Sequence, residues 1–341
     1  MSREYASAGV DLVGAGAAKA RIGKLVEGTR TALSAGRAGA FGGMVRVPAG
    51  MKKPTLVLST DGVGTKVLVA LQAGRYDTVG EDLVNHSVND ILVHGATPVA
   101  FMDYIAGSGL DVEQIAGLVE GIARGCRAHA MALAGGETAQ MPGLYQPGTY
   151  DLAGTIVGVV EEDRALHGDA IEPGDVLLGY ASTGLHTNGY TLARRIVFER
   201  LGLTVVDVLP GTGQTVADAL LAVHRSYFRS VMPVVDRMHG VAHITGGGIP
   251  GNLVRILPAR CEAVVDPDAW DLPPLFATLQ QAGDVSTEEM RDVFNLGVGL
   301  IAVLPPDALP AAQSVALADG VATWPMGEIR RGTTAVRFAR S

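Results

Sequence analysis

Cysteine is scarce in this sequence, with only Cys126 and Cys261 among 341 residues. The two lie far apart and match no metal-binding spacing, which excludes a disulfide-rich secreted scaffold and a cysteine-based metal centre. We therefore expect a reduced chain in which both cysteines are simply small buried residues.

Positive charge is also in deficit, since 27 Lys and Arg stand against 35 Asp and Glu and the net charge is −8 at pH 7. Nucleic-acid-binding surfaces are usually basic, so we expect no nucleic-acid partner. No apolar run approaches a membrane span, and the first ten residues, M-S-R-E-Y-A-S-A-G-V, contain no apolar signal core. We expect a cytoplasmic protein without a membrane partner. Phosphorylated small molecules remain compatible with this charge, because Mg²⁺ and backbone amides supply local positive potential.

Glycine and apolar residues, by contrast, are plentiful: there are 45 glycines, and 48% of the residues are hydrophobic. The length is sufficient for two domains with separate cores. A charged stretch ends in E-P-G-D at 172–175, which predicts a boundary between residues 1–168 and 169–341. Strand and helix patterns alternate on both sides of it, which indicates an α/β (α+β) class.

The most informative stretch is T-L-V-L-S-T-D-G-V-G-T-K at 55–66. An apolar strand runs into Asp61, Gly62 and Gly64 allow a sharp turn, and a helix follows from Lys66. A carboxylate, free amides and a lysine at a strand–helix turn suit Mg²⁺ and phosphate. The spacing is not that of a Walker P-loop, and taken alone the turn is equally compatible with a plain tight turn.

Three further glycine-bearing loops carry polar side chains: G-G-E-T-A around Glu137, the loop 182–190 with His186 and Asn188, and T-G-G-G at 245–248. Loops of this kind at the ends of strands and helices suit an anionic ligand. If Asp61, Asp90 and Glu137 converge, they form a hard oxygen site for Mg²⁺ bridging nucleotide phosphates. The plainer alternatives are a helix-surface role for Asp90 and a capping role for Glu137. His243, in an apolar context, is predicted to be structural.

The segment 76–95 predicts a helix with an apolar stripe of Val84, Val88, Ile91 and Leu92. Another side of that helix carries Asp82, His86, Asn89 and Asp90, which is compatible with either a solvated face or a site. The remaining pattern predicts a helix capped by Asp111 and Gln114, helices at 216–231, 275–283 and 287–294, and strands at 262–265 and 299–304. The glycine-rich loop 36–43 is a candidate lid over a ligand.

Several segments appear in the order found in one known family. They are A-G-V-D at 8–11, T-D-G-V-G-T-K at 60–66, V-N-D-I-L-V-H-G-A at 88–96, F-M-D-Y at 101–104, G-G-E-T-A-Q-M-P-G-L-Y at 135–145, D-L-A-G-T-I-V-G-V-V at 151–160, T-G-L-H-T-N-G-Y-T-L at 183–192, H-I-T-G-G-G at 243–248 and F-N-L-G-V-G-L at 294–300. By these the chain resembles the phosphoribosylformylglycinamidine cyclo-ligases, or aminoimidazole ribonucleotide synthetases, of purine biosynthesis.

This resemblance implies an ATP- and Mg²⁺-dependent ring closure of formylglycinamidine ribonucleotide to 5-aminoimidazole ribonucleotide through an iminophosphate, with release of ADP and phosphate. It implies an N-terminal domain, 1–168, that binds ATP and whose mixed sheet closes a β-barrel across a homodimer. It also implies a C-terminal α/β sandwich domain, 169–341, that binds substrate, with the active site in the cleft between the two.

The resemblance also assigns roles to individual residues. Catalytic roles fall to Asp61, Lys24 and His186. The residues implied for ATP are Asp61, Gly62, Gly64, Lys66, Asp90, Gly136, Glu137 and Thr138. Asp61, Asp90 and Glu137 are implied for Mg²⁺, and His186, Asn188, Thr245, Gly246, Gly247 and Gly248 for substrate.

Two departures from the family pattern stand out. Asn85-His86-Ser87 replaces residues that are small or apolar in many relatives, and Gly251 stands where relatives often carry a glutamate. Other ATP-using enzymes of the superfamily fit less well, since selenophosphate synthetase needs a reactive residue near its N-terminus and the first cysteine here is Cys126. A nucleotide-binding regulatory module without activity is the alternative from another class.

Overall fold

A computed structural model describes residues 21–36 and 42–339 of the chain. The motif at 8–11 and most of the candidate lid at 36–43 lie outside the described residues. Twelve strands are described, β1 to β12: Ser34–Ala35, Met44–Val45, Pro54–Gly62, Thr97–Gly107, Ala132–Gln140, Tyr150–Glu161, Val176–Ala181, Gly240–His243, Cys261–Val265, Val298–Leu304, Thr323–Arg331 and Ala335–Phe338.

The described helices between residues 66 and 318 are named α1 to α10: Lys66–Ala73, Asp77–Leu92, Val112–Ala128, Tyr190–Arg194, Val216–Leu220, Phe228–Val231, Gly248–Leu253, Pro274–Gly283, Thr287–Val293 and Leu309–Ala318. Residues 21–27 are also helical. Among the described residues, no helix is both long and apolar enough to cross a membrane.

The N-terminal half is built on a four-stranded mixed sheet in the order β3-β6-β4-β5. Only the pairing of β4 with β5 is parallel. Leu83 and Ile91 of α2 and Leu118 of α3 join the core that covers one face of this sheet. The opposite face leaves large apolar side chains exposed, among them Leu58 at 62% and Tyr104 at 40%. Such an uncovered apolar sheet face is unusual for an isolated domain.

The C-terminal half is a six-stranded sheet in the order β12-β9-β11-β7-β10-β8. Every residue of β10 is buried, because separate apolar cores cover the two faces of this sheet. Tyr227 and Ala312 belong to one of these cores and Ile249 and Leu253 to the other. This burial on both faces explains why β10 reads as a continuous apolar run rather than as an alternating one.

Local sequence signals set several element ends as expected. α1 ends at Gly74, which adopts the left-handed conformation. Asp111 and Gln114 form a reciprocal capping box at the start of α3. Both cysteines are free and buried, as predicted, and burial raises the pKa of the Cys126 thiol. β3 continues through Asp61 to Gly62, so this carboxylate lies within the strand and not in the turn.

The predicted helix at 216–231 is wrong as a single element. Helical structure stops at Leu220 and resumes at Phe228. In between, the backbone forms hydrogen bonds with side chains of α2: the His224 N–H donates to Asp82 Oδ1 at 2.6 Å, and Asn85 Nδ2 donates to the His224 carbonyl at 2.8 Å. Asn89 binds the same segment, accepting from the Tyr227 N–H at 2.9 Å. Tertiary hydrogen bonds therefore replace the helical ones, which local propensity does not reveal.

Candidate active site

β3 and α2 bring two of the predicted acidic residues together. Asp61 Oδ2 lies 2.7 Å from His86 Nε2, and Asp90 Oδ2 lies 3.5 Å from the same nitrogen. Ser59, two residues before Asp61 on the same strand face, donates its hydroxyl to Asp90 Oδ2 at 3.1 Å. His86 and Asp90 are one helical turn apart and so project from the same side of α2. The polar side of this helix is therefore buried against other elements and is not a solvated face.

The C-terminal half closes this cluster with two more imidazoles. His243, at the end of β8, places Nδ1 2.9 Å from Asp90 Oδ1 and Nε2 3.1 Å from His224 Nε2. The Thr187 hydroxyl lies 2.6 Å from His86 Nδ1 and 3.3 Å from His224 Nδ1. An unbroken chain of polar contacts thus runs from Asp61 through His86, Thr187, His224 and His243 to Asp90.

Burial and charge act differently on the members of this cluster. Burial lowers the pKa of His86, but its contact with Asp61 and the charge of Asp90 outweigh burial, so the net shift is upward. Burial lowers the pKa of His243 by more than Asp90 raises it, and burial together with the neighbouring imidazoles holds the pKa of His224 well below its usual value. Burial raises the pKa of Asp61, and contact with His86 reverses that shift. The positive charge of the cluster is therefore concentrated at His86, between the two carboxylates.

His186 and Lys66, both predicted for the site, point into the interior. The His186 ring is 1% exposed and stacks on His224 at a centroid distance of 3.9 Å. Its Nε2 accepts the Thr183 N–H at 3.2 Å. Lys66 Nζ is fully buried and uses its three donors on Asp82 Oδ2 and on the carbonyls of His186 and Ala222. All three donors of the Lys66 ammonium are therefore used by acceptors in the interior, and none is left to bind a phosphate.

The glycine loop 245–248 follows His243 directly, and Asn252 fixes its shape. Asn252 Nδ2 lies within hydrogen-bond distance of the carbonyls of Thr245, Gly246 and Gly248, at 2.8–3.3 Å. Gly247 and Gly248 have φ values of +92° and +58°, which favour glycine. The backbone N–H groups of Gly246 and Gly247 donate to no acceptor in the part of the chain that is described. The loop therefore offers two amides without an acceptor among the described residues, shortly after His243, which contacts Asp90.

The second substrate loop meets the first. A Cβ on Gly246 would lie 3.3 Å from Asn188 Oδ1, so the loops 182–190 and 245–248 are in contact range. The structure thus brings Asn188 and Thr245–Gly248 together beside Asp90, with His243 as the link.

Glu137 and its neighbours lie elsewhere. In register, Asp61 pairs with Gly154, Gly154 with Asp103, and Asp103 with Gly136, so Asp61 and Gly136 are three strand spacings apart, or about 14 Å. Glu137, the next residue along β5, is exposed and pairs with Tyr104. Because side chains alternate between the two faces along a strand, Glu137 lies on the open face of the sheet. Gly136 makes room for Asp103, whose Oδ1 would lie 2.1 Å from a Cβ there.

Lys24 and Thr138 lie at that same edge of the sheet. Lys24 is exposed on the helical segment 21–27. This segment is tied to α3 by the ion pair of Arg21 and Glu113 at 2.7 Å. It is tied to β5 by the Leu133 N–H, which donates to Thr29 Oγ1 at 2.9 Å. Within one chain, the residues implied for ATP therefore form two groups, one around Asp61 and Asp90 and one along β5.

The donor set around Asp61 and Asp90 does not match the predicted magnesium site. Glu137 is absent from it, and two imidazole nitrogens lie within 3.5 Å of Asp90 oxygens. Mg²⁺ prefers an octahedron of oxygen atoms, many of them from water, whereas imidazole suits the later transition metals. Within one chain, these side chains therefore do not form the predicted all-oxygen magnesium site.

Two histidines of this cluster, His224 and His243, were not assigned to a site from the sequence. His224 stands alone in A-V-H-R, with no motif or periodicity to mark it, and only the fold brings it to the cluster. His243 was predicted to be structural, yet it connects Asp90 to the glycine loop. For His243 a signal existed, since it immediately precedes I-T-G-G-G.

The comparisons with known proteins agree across both halves. Residues 39–160 match the family model "AIR synthase related protein, N-terminal domain", and residues 172–338 match "AIR synthase related protein, C-terminal domain". The chain is similar to a phosphoribosylformylglycinamidine cyclo-ligase of Sorangium cellulosum, with 45% identity over 333 residues and 96% of each chain covered.

Solved structures share the fold at lower identity. Thiamine-monophosphate kinase from Stenotrophomonas maltophilia superposes with a TM-score of 0.70 at 18% identity, covering 95% of this chain and 94% of that one. The hydrogenase maturation protein HypE in complex with ATP superposes with a TM-score of 0.62 at 18% identity, covering 92% and 88%. These two likenesses concern the fold alone.

Proposed function

The chain belongs to the family of AIR synthase related proteins, and from that premise we propose that it closes the imidazole ring of 5-aminoimidazole ribonucleotide. It is a ligase of purine biosynthesis, as are the relatives it matches over 96% of its length. The proposed substrate is formylglycinamidine ribonucleotide. ATP, entering as its Mg²⁺ complex, is the second substrate, and ADP and phosphate are released.

In the proposed reaction the formamide oxygen of the substrate attacks the γ-phosphorus of ATP and ADP leaves. The resulting iminophosphate carries a good leaving group, where the original amide oxygen was a poor one. The amidine nitrogen then attacks the activated carbon, phosphate departs with the former formamide oxygen, and loss of a proton gives the aromatic ring. Such a sequence depends on positioning and on exclusion of water more than on a protein nucleophile.

One observation carries this proposal: the loops 182–190 and 245–248 meet beside the acidic pair of Asp61 and Asp90. The free amides of Gly246 and Gly247 suit phosphate oxygens, and Asn188 and Thr245 supply neutral polar atoms beside them. We propose that this wall holds the ribose phosphate and orients the reacting end of the substrate. Asp61, whose side chain is 45% exposed, is the more accessible carboxylate of the pair, since the Asp90 side chain is 21% exposed.

We also propose that the site is completed in a homodimer. Within one chain, Gly136, which precedes Glu137, lies three strand spacings or about 14 Å across the sheet from Asp61. The open face of the sheet, which carries Glu137, exposes Leu56, Leu58 and Met102. A second copy packed on this face would bury those side chains, which favours association. The domain boundary at 168/169 and the assignment of nucleotide to the N-terminal half and substrate to the C-terminal half belong to the same proposal.

The deciding experiment supplies purified protein with formylglycinamidine ribonucleotide and ATP and follows ADP and the new aromatic amine together. We expect equal amounts of both products. The variant Asp61→Asn should lose both by at least about 100-fold, which corresponds to about 2.7 kcal/mol of transition-state stabilisation. The matched control is Asp207→Asn, an exposed carboxylate that caps a loop at Thr204. Binding of ATP without either product would instead support a non-catalytic nucleotide-binding module.

A further inference from the structure

A small cavity in the C-terminal half lies apart from the acidic pair and its histidines. Its volume is about 140 Å³, which is close to the roughly 150 Å³ of an apolar protein cavity that takes up benzene. The walls come from α8, α9, β12 and two loop segments. They include the side chains of Trp270, Leu272, Met290, Arg291, Leu296 and Phe338. The cavity is therefore largely apolar and has room for one six-membered ring.

One wall of this cavity carries a positive charge. The Arg291 guanidinium lies over the Phe338 ring, 3.9 Å from its centroid, and this contact orients the planar group. Within the described part of the chain, the guanidinium forms no ion pair and no side-chain hydrogen bond, and its acidic neighbours on α9, Glu288 and Asp292, do not pair with it. An oriented guanidinium with unused N–H groups is well suited to a carboxylate, because it can form two parallel hydrogen bonds to it.

The chemistry of the walls indicates a ligand with two parts. The apolar surface suits a flat ring, and the arginine beside it suits an anionic group attached to that ring. Trp270 forms a fixed aromatic wall, because its Nε1–H donates to the Leu296 carbonyl at 2.9 Å. Leu272 is 38% exposed, so the cavity can be entered from solvent on its side. We propose that this cavity binds a small monocyclic aromatic carboxylate.

The cavity shares α9 with both loops of the proposed substrate wall. A Cβ on Gly248 would lie 1.8 Å from the Arg291 carbonyl oxygen, and a Cβ on Gly189 would lie 2.4 Å from the ring of Phe294, the residue that follows α9. These contacts leave no space between the helix and the two loops. A ligand that holds α9 in place therefore also restricts the loops 182–190 and 245–248.

The test titrates the full-length protein with benzoate and follows tryptophan fluorescence. The chain has only two tryptophans: Trp270 lines the cavity, and the Trp324 ring stacks on it with centroids 6.4 Å apart, so the signal comes from this region. We expect saturable binding of benzoate with a dissociation constant of about 1 mM or lower. Benzyl alcohol, which has the ring without the charge, should bind at least about tenfold more weakly. Acetate, which has the charge without the ring, should give no response at the same concentrations.

Two variants and a matched control test the role of the charge. Arg291→Met keeps an unbranched side chain over Phe338 but removes the guanidinium, and it should weaken benzoate binding at least about tenfold. Leu272→Glu places a like charge at the solvent-exposed wall and should also weaken binding. The control is Arg337→Met. Arg337 precedes Phe338 on β12, so it faces the other side of the sheet, and it pairs with Glu262. Its variant should bind benzoate as the unmodified protein does.

Amide hydrogen exchange tests the link to the two loops. The Gly248 N–H donates to the Thr245 carbonyl at 3.1 Å, and the Asn188 N–H donates to the Leu185 carbonyl at 3.4 Å. Saturating benzoate should slow the exchange of both amides, because opening of either loop requires α9 to shift. Unchanged exchange at both amides would overturn this link.

The binding site itself has separate criteria. If Arg291→Met does not fold, as judged by circular dichroism, Leu272→Glu decides the role of the charge. Absence of saturable benzoate binding, equal affinity for benzyl alcohol, or unchanged benzoate affinity in the deciding variant would overturn the site. Because neither nucleotide nor substrate is present, none of these outcomes bears on the ligase reaction.

Discussion

Lys66 Nζ and Asp82 Oδ2 lie 2.7 Å apart in the interior, and neither side chain is exposed to solvent. Burial lowers the pKa of Lys66 and raises that of Asp82, while their mutual attraction opposes both shifts. The remaining donors of Lys66 bind the carbonyls of His186 and Ala222. This ion pair thus connects α1 and α2 to two segments of the C-terminal half.

Removing one member of this pair should be costly. Lys66→Met leaves Asp82 as an unpaired buried charge, and we expect a loss of about 3–5 kcal/mol in the free energy of unfolding. Adding Asp82→Asn should recover more than half of that loss, because the amide oxygen can still accept the His224 N–H. Urea titration measures both values. Lys53→Met, which removes an exposed pair with Glu162, should change stability by less than about 0.5 kcal/mol, and an equally mild Lys66→Met would refute the structural role.

The helix after the glycine loop offers a matched pair of glycines. Gly248 has a φ of +58°, and a Cβ there would lie 1.8 Å from the Arg291 carbonyl oxygen. Gly251, three residues on, has open space around it. We expect Gly248→Ala to destabilise the protein by at least about 2 kcal/mol, since strain and overlap add. Gly251→Ala should be neutral or stabilise it by up to about 1 kcal/mol. Thermal unfolding of the two variants side by side tests this, and equal effects would contradict it.

The open face of the N-terminal sheet predicts the oligomeric state. Leu58 lies on this face and is 62% exposed. The variant Leu58→Glu would therefore place a charge in the proposed dimer interface. We expect sedimentation equilibrium to give a dimer for the unmodified protein and a mainly monomeric Leu58→Glu variant. Val206 is 76% exposed in the C-terminal half, so Val206→Glu should stay dimeric. A monomeric unmodified protein would remove the basis for a shared site.

Asp103 predicts a pH dependence of stability. Burial raises the pKa of its carboxyl group from 3.8 to about 7. The folded state then binds more protons than the unfolded state between these values, so Asp103 reduces stability progressively as pH rises from about 4 to about 7.

Asp103→Asn should remove that contribution. We expect it to stabilise the protein by about 2 kcal/mol at pH 8, a value discounted for the residual solvent contact of Asp103, and to have little effect at pH 4. Urea midpoints at the two pH values measure the difference. A gain of the same size at both pH values would show that the charge of Asp103 is not responsible.

Local signals predicted much of the fold and only part of the site. The strand before Asp61, the capping box of Asp111 and the stop at Gly74 depend on neighbours in sequence, so the sequence shows them. The family resemblance supplied the expectation of two halves. It did not supply the break at Leu221–Tyr227, where side chains of α2 take over the backbone hydrogen bonds.

The sequence did not show which of the candidate residues lie close together in the folded chain. Asp61 and Asp90 meet because β3 and α2 pack together, while Glu137, equally conspicuous in sequence, lies on another strand and the other face of the sheet. Lys66 follows a turn that resembles a ligand-binding loop, yet its side chain points inward because it forms a buried ion pair with Asp82. His224 carries no local signal at all. Residue type and spacing identify candidates, but strand order and facing decide which of them share a site.

The polar side of α2 has a consequence for how the molecule can be divided. Asp82, Asn85 and Asn89 bind backbone groups of residues 224–227, so a fragment ending at residue 168 would strand buried polar groups on both pieces. The two halves have separate sheets, yet we expect each to lose stability when it is expressed without the other. Recombination between distant relatives would therefore have to move α2 and the segment 224–227 together, although they lie in different halves of the chain.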